Sequence, residues 1–314
     1  MILTVTPNPA LDLTWHVDRL REGGTHRADA GVARAGGKGL NVARVAYAEG
    51  ADVLAITTMG GRVGEEFASE LGASGVPHAL VPVAAETRRS IAVVDESAGD
   101  TTIINERGVN PTDSEWADLL AEVVERLPTA KVLVVSGSVP PDAPDSLVPM
   151  LIAVGKDAGI PVIADTSGPA LLRAADAGAD VLKPNAAELV EATGIADPVE
   201  GARSLIARGA ELVLLSLGAD GMLAVTASDL VHARLDEPLA GNPTGAGDAG
   251  VAACAVLYAA GERDPEQILR RATAWSAAAV LTPLAGDISP RWRALEQQLL
   301  VSHPAPESFR KDPS

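Results

Sequence analysis

The chain has 314 residues, a formal net charge of −17, 47 % hydrophobic residues and only 3 % aromatic ones. So much aliphatic residue supplies a large core and excludes global disorder, and the acidity argues against nucleic acid or anionic membrane as a partner. Cys254 is the only cysteine, so no internal disulfide can form, and residues 1–10 lack a signal-peptide start; both predict a cytoplasmic protein.

Residues 2–6 read as a first strand, ended by Thr6-Pro7-Asn8-Pro9, because proline cannot donate to a central ladder. Asp12 follows just past that end. Open α/β sheets gather ligands there, so Asp12 reads as a substrate residue or as a plain turn aspartate. Residues 13–17 alternate and 27–34 mix small, polar and apolar types, which predicts short strands. Ala35-Gly36-Gly37-Lys38-Gly39-Leu40-Asn41 then opens a helix that runs to about Gly50. Glycines admit a ligand to the backbone, and Lys38 offers a point charge to a phosphate. Asn41, one turn in, can bond sugar hydroxyls. The spacing is not that of a P-loop, and a glycine turn with a solvated lysine is the plainer alternative.

Residues 53–58 predict a core strand, Gly60 to Gly64 lead into a helix, and 80–83 give another short strand. Residues 87–95 alternate, turn at Ala98-Gly99-Asp100 and return over 101–104, a hairpin pattern. Arg88 and Arg89 must point to opposite faces, so only one serves a given site. From residue 112 the pattern is regular βα. Helix 114–127 precedes an apolar strand, 132–135, that runs into Ser136-Gly137-Ser138. Helix 144–158 precedes strand 162–164, which ends at Asp165-Thr166-Ser167-Gly168. A short strand at 181–182 ends in Lys183-Pro184-Asn185, then comes a helix carrying Glu188. Strand 212–215 ends in Ser216-Leu217-Gly218-Ala219-Asp220-Gly221. Segments 222–225 and 230–235 read as antiparallel, helices follow at 247–260, 265–280 and 290–301, and 302–314 reads as a loose tail. No run of about 18 apolar residues offers a membrane span.

Polar clusters that end successive apolar strands converge on one sheet edge. Gly241-Asn242-Pro243-Thr244-Gly245-Ala246-Gly247-Asp248 opens the small-residue run from Ala249 to Ala260. Free amides in a first helical turn attract anions. Asp248 beside them reads as a base for a hydroxyl that attacks a phosphate, or as a cap. Asn185 and Glu188, three apart, share a helix face and suit a hard Mg²⁺ held through water. Ser216, Gly218 and Gly221 let a nucleotide lie against the backbone. No G-x-G-x-x-G follows the first strand, which disfavours a dehydrogenase.

Six motifs carry a family resemblance: Thr6-Pro7-Asn8-Pro9-Ala10-Leu11-Asp12, Gly36-Gly37-Lys38-Gly39-Leu40-Asn41-Val42-Ala43, Thr87-Arg88, Ser136-Gly137-Ser138, Lys183-Pro184-Asn185-Ala186-Ala187-Glu188 and Gly245-Ala246-Gly247-Asp248. In this order they resemble the PfkB/ribokinase family of sugar kinases over residues 1 to about 300. The Asn-Pro-x-x-Asp and Gly-Gly-Lys-Gly runs resemble its phosphosugar branch: 1-phosphofructokinase, tagatose-6-phosphate kinase and the minor 6-phosphofructokinase. The resemblance implies a doubly wound, mostly parallel α/β sheet with helices on both faces and a small β-sheet lid. The core would be 1–11, 35–85 and 107–301, the lid 12–34 and 86–106, and the lids would join a homodimer.

The resemblance also implies ATP and Mg²⁺, with Asp248 as general base and the amides of Gly245, Ala246 and Gly247 on the transferring phosphoryl group. Asp12, Gly37, Asn41 and Ser138 would hold the sugar, and Lys38, Arg88 and Arg27 its existing phosphate. Lys183, Asn185, Ser216, Gly218 and Gly221 would line the nucleotide site, with Asn185 and Glu188 ordering metal waters. Thr87-Arg88-Arg89-Ser90-Ile91-Ala92, with Gly36-Gly37-Lys38-Gly39-Leu40-Asn41 and Asn242-Pro243, resembles tagatose-6-phosphate kinase more than 1-phosphofructokinase, which implies tagatose 6-phosphate or fructose 6-phosphate as acceptor, with fructose 1-phosphate the alternative. Ala249-Gly250 departs from the family, where a hydroxyl or bulkier residue is expected. A non-catalytic sugar-phosphate or nucleotide sensor is the other class considered, and the presence of Asp248 speaks against it.

Overall fold

The computed structural model describes residues 1–309. Its strands are β1 (Ile2–Thr6), β2 (Ala10–Val17), β3 (Val32–Gly36), β4 (Val53–Met59), β5 (His78–Pro82), β6 (Arg88–Asp95), β7 (Asp100–Asn105), β8 (Val132–Ser136), β9 (Val162–Asp165), β10 (Val181–Leu182), β11 (Leu212–Ser216), β12 (Met222–Val225), β13 (Leu230–Arg234) and β14 (Leu300–Ser302). The helices are α1 (Lys38–Ala48), α2 (Gly61–Ser74), α3 (Asp113–Arg126), α4 (Leu147–Asp157), α5 (Pro169–Asp176), α6 (Ala186–Thr193), α7 (Pro198–Arg208), α8 (Ala246–Ala259), α9 (Pro265–Val280) and α10 (Trp292–Gln298).

A 10-stranded sheet runs in the order β14-β13-β12-β11-β10-β9-β8-β1-β4-β5. The pairs from β11 through β5 are parallel, and β12, β13 and β14 add an antiparallel edge. The central strands are mostly apolar because both faces are covered, and their side chains divide by the two-residue period. Ile2, Val132, Val134, Ile163, Leu212 and Leu214 enter one core with α1, α2, α8, α9 and α10. Leu3, Val5, Leu133, Val135, Val162, Ala164, Val213 and Leu215 enter the other, with α3, α4, α5, α6 and α7. This is the doubly wound class that the polar strand ends predict.

A separate 4-stranded sheet has the order β3-β2-β6-β7. Its β2 starts four positions after β1 stops, so Pro7-Asn8-Pro9 is the whole connection on that side. An ion pair from Arg34 on β3 to Asp287 (2.9 Å) ties the small sheet to the loop after α9.

The chain end differs from the loose tail read at 302–314. Leu300–Ser302 pair with β13, which satisfies that strand's outer edge, and the Phe309 ring meets His232 edge-on at 5.3 Å. The last helix accordingly stops at Gln298 rather than near 301. Residues 310–314 lie outside the described residues. Among those described, no helix is long and apolar enough to cross a membrane.

Candidate active site

One cleft of about 1290 Å³ lies along the carboxyl ends of the parallel strands, between the two sheets. Asp12, Gly37, Lys38, Asn41, Arg88, Ser138, Lys183, Asn185, Glu188, Ser216, Gly218, Gly221 and Gly245 to Asp248 all line it. Arg27 does not. It sits exposed in the long connection from β2 to β3, where nothing in a local sequence pattern could have placed it.

Asp248 stands in the first turn of α8 and is 6 % exposed. Asn41 Nδ2 donates to its Oδ2 at 2.8 Å, which leaves Oδ1 open to a ligand. Burial pushes this carboxyl up to about 6; the Asp165 charge adds to the shift, while Lys38, the Asn41 bond and Lys183 oppose it. Gly245 caps α8 in the left-handed region (φ 81°), with Ala285 packed where a side chain would project. The Ala246 amide is spent on the Pro243 carbonyl at 3.1 Å, contrary to its expected place in the anion hole. Among the described residues the amides of Gly245, Gly247 and Asp248 have no partner. Gly247 is bare because a Cβ there would stand 2.9 Å from Lys183 Nζ. At the departure noted after Asp248, a Cβ on Gly250 would stand 2.7 Å from Ser276 Oγ. Helix α9 thus brings a hydroxyl up against the bare position 250.

Beneath Asp248 is a charge cluster that the sequence reading left out. Asp165, at the end of β9, is fully buried; its Oδ1 meets Lys38 Nζ at 3.4 Å and Lys183 Nζ at 3.7 Å. Ser136 Oγ donates to its Oδ2 at 3.2 Å. Burial works against the Asp165 charge, yet Lys183 and Lys38 together hold its carboxyl below the usual range. Lys38 also meets Glu188 Oε1 at 3.3 Å, and Asp165 foremost, then Glu188, hold it charged above the ordinary lysine range against burial. Lys38 thus lies in the cleft beside Asp165, Glu188 and Asp248.

Asn185 and Glu188 form a reciprocal cap on α6: Asn185 Oδ1 accepts from Glu188 N (2.8 Å), and Glu188 Oε2 accepts from Asn185 N (2.9 Å). Their spacing alone thus has a structural explanation. These hard oxygens already have partners, and no group of three His, Cys, Asp or Glu residues gathers among the described residues. They fit a Mg²⁺ ion that keeps its waters and do not fit a direct protein cage.

The small sheet supplies the other wall. Asp12 on β2 has its carboxyl pushed up to about 6 by burial, with Arg88, Arg34 and Arg44 opposing. Arg88 on β6 spends its bonds on neutral oxygens: Asn8 O and Oδ1 from Nε (3.3 and 3.1 Å), Asn8 O from Nη2 and Glu106 O from Nη1 (both 3.1 Å). None of these bonds goes to a carboxylate, and the Asp12 and Glu106 charges act on Arg88 only from nearby. Asn8 Nδ2 donates to Arg107 O (3.1 Å) and Ser138 Oγ (3.4 Å), so one asparagine joins three segments at this corner. At the far end, Met222, Leu235, Leu239, Ala277 and Val280 make an apolar wall beside Gly218 and Gly221.

Comparison with known proteins agrees with this geometry. The sequence profile of the pfkB family carbohydrate kinases matches residues 8–292. A 1-phosphofructokinase of Haloferax volcanii is 41 % identical over 255 residues, 79 % of this chain and 81 % of that protein. A 1-phosphofructokinase of Xanthomonas campestris is 35 % identical over 284 residues, 87 % of this chain and 89 % of that one. Phosphofructokinase-2 from Escherichia coli, solved in complex with fructose-6-phosphate, superposes with a TM-score of 0.84 at 30 % identity, covering 94 % of this chain and 98 % of that chain. With a buried aspartate beside a helix-start anion hole, and with the profile spanning most of its length, the chain belongs to the pfkB family of carbohydrate kinases, a sugar phosphotransferase.

Proposed function

We propose that the protein transfers the γ-phosphoryl group of ATP to a free hydroxyl of a ketohexose phosphate, giving a bisphosphate and ADP. The observation that carries this is Asp248, a carboxylate with one open oxygen beside three unpartnered amides. Asp248 Oδ1 takes the proton from the acceptor hydroxyl as its oxygen bonds to phosphorus, and the bond from phosphorus to the ADP oxygen breaks. The amides of Gly245, Gly247 and Asp248 stabilise the equatorial phosphoryl oxygens. Lys38 and Lys183, steadied by Asp165, hold positive charge at the same place. Asp12, Gly37, Asn41 and Ser138 orient the sugar, and Arg88 binds its phosphate. The apolar wall at Leu239 and Val280 receives the base, with Ser216, Gly218 and Gly221 along the nucleotide. Asn185 and Glu188 would hold a Mg²⁺ ion through its waters, and that ion would supply neutralising charge to the nucleotide phosphates.

The names of the two relatives favour fructose 1-phosphate as acceptor over the 6-phosphates that the Thr87-Arg88-Arg89-Ser90 run suggests. Fructose 6-phosphate remains the second reading, supported by the Escherichia coli complex. The test is kcat/KM for fructose 1-phosphate, fructose 6-phosphate, tagatose 6-phosphate and unphosphorylated fructose. A charge-assisted bond contributes roughly 1.5–3 kcal/mol, so the best phosphosugar should exceed free fructose by tenfold to a hundredfold per phosphate contact. Free fructose winning the comparison sinks the reading.

Segments 12–34 and 86–106 act as a lid on the core 1–11, 35–85 and 107–301, and join a homodimer. Support comes from Val32, Ile103 and Ile104, which lie exposed on the small sheet. Light scattering should give twice the chain mass; the mass of a single chain would refute the dimer.

A further inference from the structure

Among the described residues, four cationic ones line the cleft: Lys38, Lys183, Arg88 and Arg107. Both lysines are committed to Asp165, and Lys38 to Glu188 as well. Arg88 is bound by neutral oxygens of Asn8 and Glu106. The Arg107 guanidinium has no hydrogen-bond or ion-pair partner among the described residues. An exposed arginine without a partner is unremarkable on a surface, but this one opens on a cleft, and its backbone is fixed there. The Arg107 carbonyl accepts from Asn8 Nδ2 at 3.1 Å. Gly108 beside it (φ 86°) is pressed so close that a Cβ would stand 2.5 Å from Asn8 Oδ1 and 3.3 Å from Arg88 Cδ. The nearest carboxylate in sequence, Glu106, also lines the cleft and is engaged by the Arg89 amide at 2.7 Å. Asp12, the other acid acting on Arg88, also lines the cleft.

Resting on the phosphosugar reading, we infer that Arg107 is a second arginine on the acceptor's existing phosphate, paired with Arg88 across Asn8. A planar fork with five free donors matches a phosphate's oxygens. Within this chain Arg27 lies outside the cleft and Lys38 is shared with Asp165 and Glu188, whereas Arg107 has no such carboxylate among the described residues. It determines specificity by reading the phosphate and takes no part in the chemical step.

The experiment is steady-state kinetics of Arg107→Gln and Arg107→Lys with ATP, against the ketohexose phosphate that the unaltered enzyme uses best and against free fructose. The glutamine variant should lose about tenfold to a hundredfold in kcat/KM for the phosphosugar, mostly through KM. It should stay within twofold of the parent on free fructose, and the lysine variant should recover part of the loss. An equal loss on both sugars, or no loss on either, overturns the inference while the parent's own preference for phosphosugars stands. A parent enzyme that prefers free fructose overturns the phosphosugar reading first, and this inference with it.

Discussion

Asp248→Asn should lower kcat by about 10²–10⁴-fold, the usual range for removing a general base. The amide is isosteric and can still accept from Asn41, so the acceptor and ATP should bind with KM values near those of the parent. Loss of kcat and kcat/KM together is the signature of a group used only in the transition state. The pH profile gives an independent check. Asp248 and Asp12 both titrate at about 6, so below that pH the base is protonated and the sugar's aspartate loses its charge. The acid limb of kcat/KM should therefore fall with a slope steeper than one, and the residual activity of the variant should keep only the Asp12 limb. Unfolding would not explain the loss. Folding raises the Asp248 pKa, so its ionised carboxylate is a stability cost above that pKa which the amide does not carry. Near-normal turnover, or an unchanged acid limb, would remove Asp248 from the mechanism.

The second large effect is on stability. Asp165→Asn should cost about 3–5 kcal/mol, because it strips the shared counter-charge from Lys183, which is 3 % exposed, and half of that from Lys38. At roughly 2.1 cal/mol/K of unfolding entropy per residue, the melting temperature should drop by about 5–8 °C. The isostere keeps the shape and the Ser136 hydrogen bond, so the loss reports charge and not packing. Adding Lys183→Met to the same chain should restore part of the stability, since the stranded cation is then gone. The Asp165 charge also raises the Asp248 pKa, so the acid limb of whatever activity remains should move to lower pH. A melting temperature within about 1 °C of the parent would show that the cluster is solvated and has no structural weight.

The architecture was legible because each core strand is a short apolar run closed by a polar cluster, and β6 with β7 shows both alternation and a turn. Pairing within a sheet is a tertiary matter. Nothing in residues 299–301 tells the helix to stop and join β13. At the site, the glycines around Lys38 and Asp248 were readable because backbone geometry leaves its mark on residue type. Side-chain direction leaves no such mark. Lys38 could be read as a cation from the glycines around it, but its contacts with carboxylates 127 and 150 positions away could not. Asp165 ended a strand like several other polar residues, and only burial between two lysines sets it apart. Arg27 and Arg107 look alike in sequence, and only the Asn8 contact brings one of them to the cleft.

That contact sits where the two sheets meet. Asp12 and Arg88 sit on four short strands, whereas Asp165, Lys183 and Asp248 are rooted in the large sheet and its helix, and Asn8 stands in the joint between them. On the proposed function, Asp12 and Arg88 would meet the acceptor from the small sheet, while the base and its charge cluster stay on the large one.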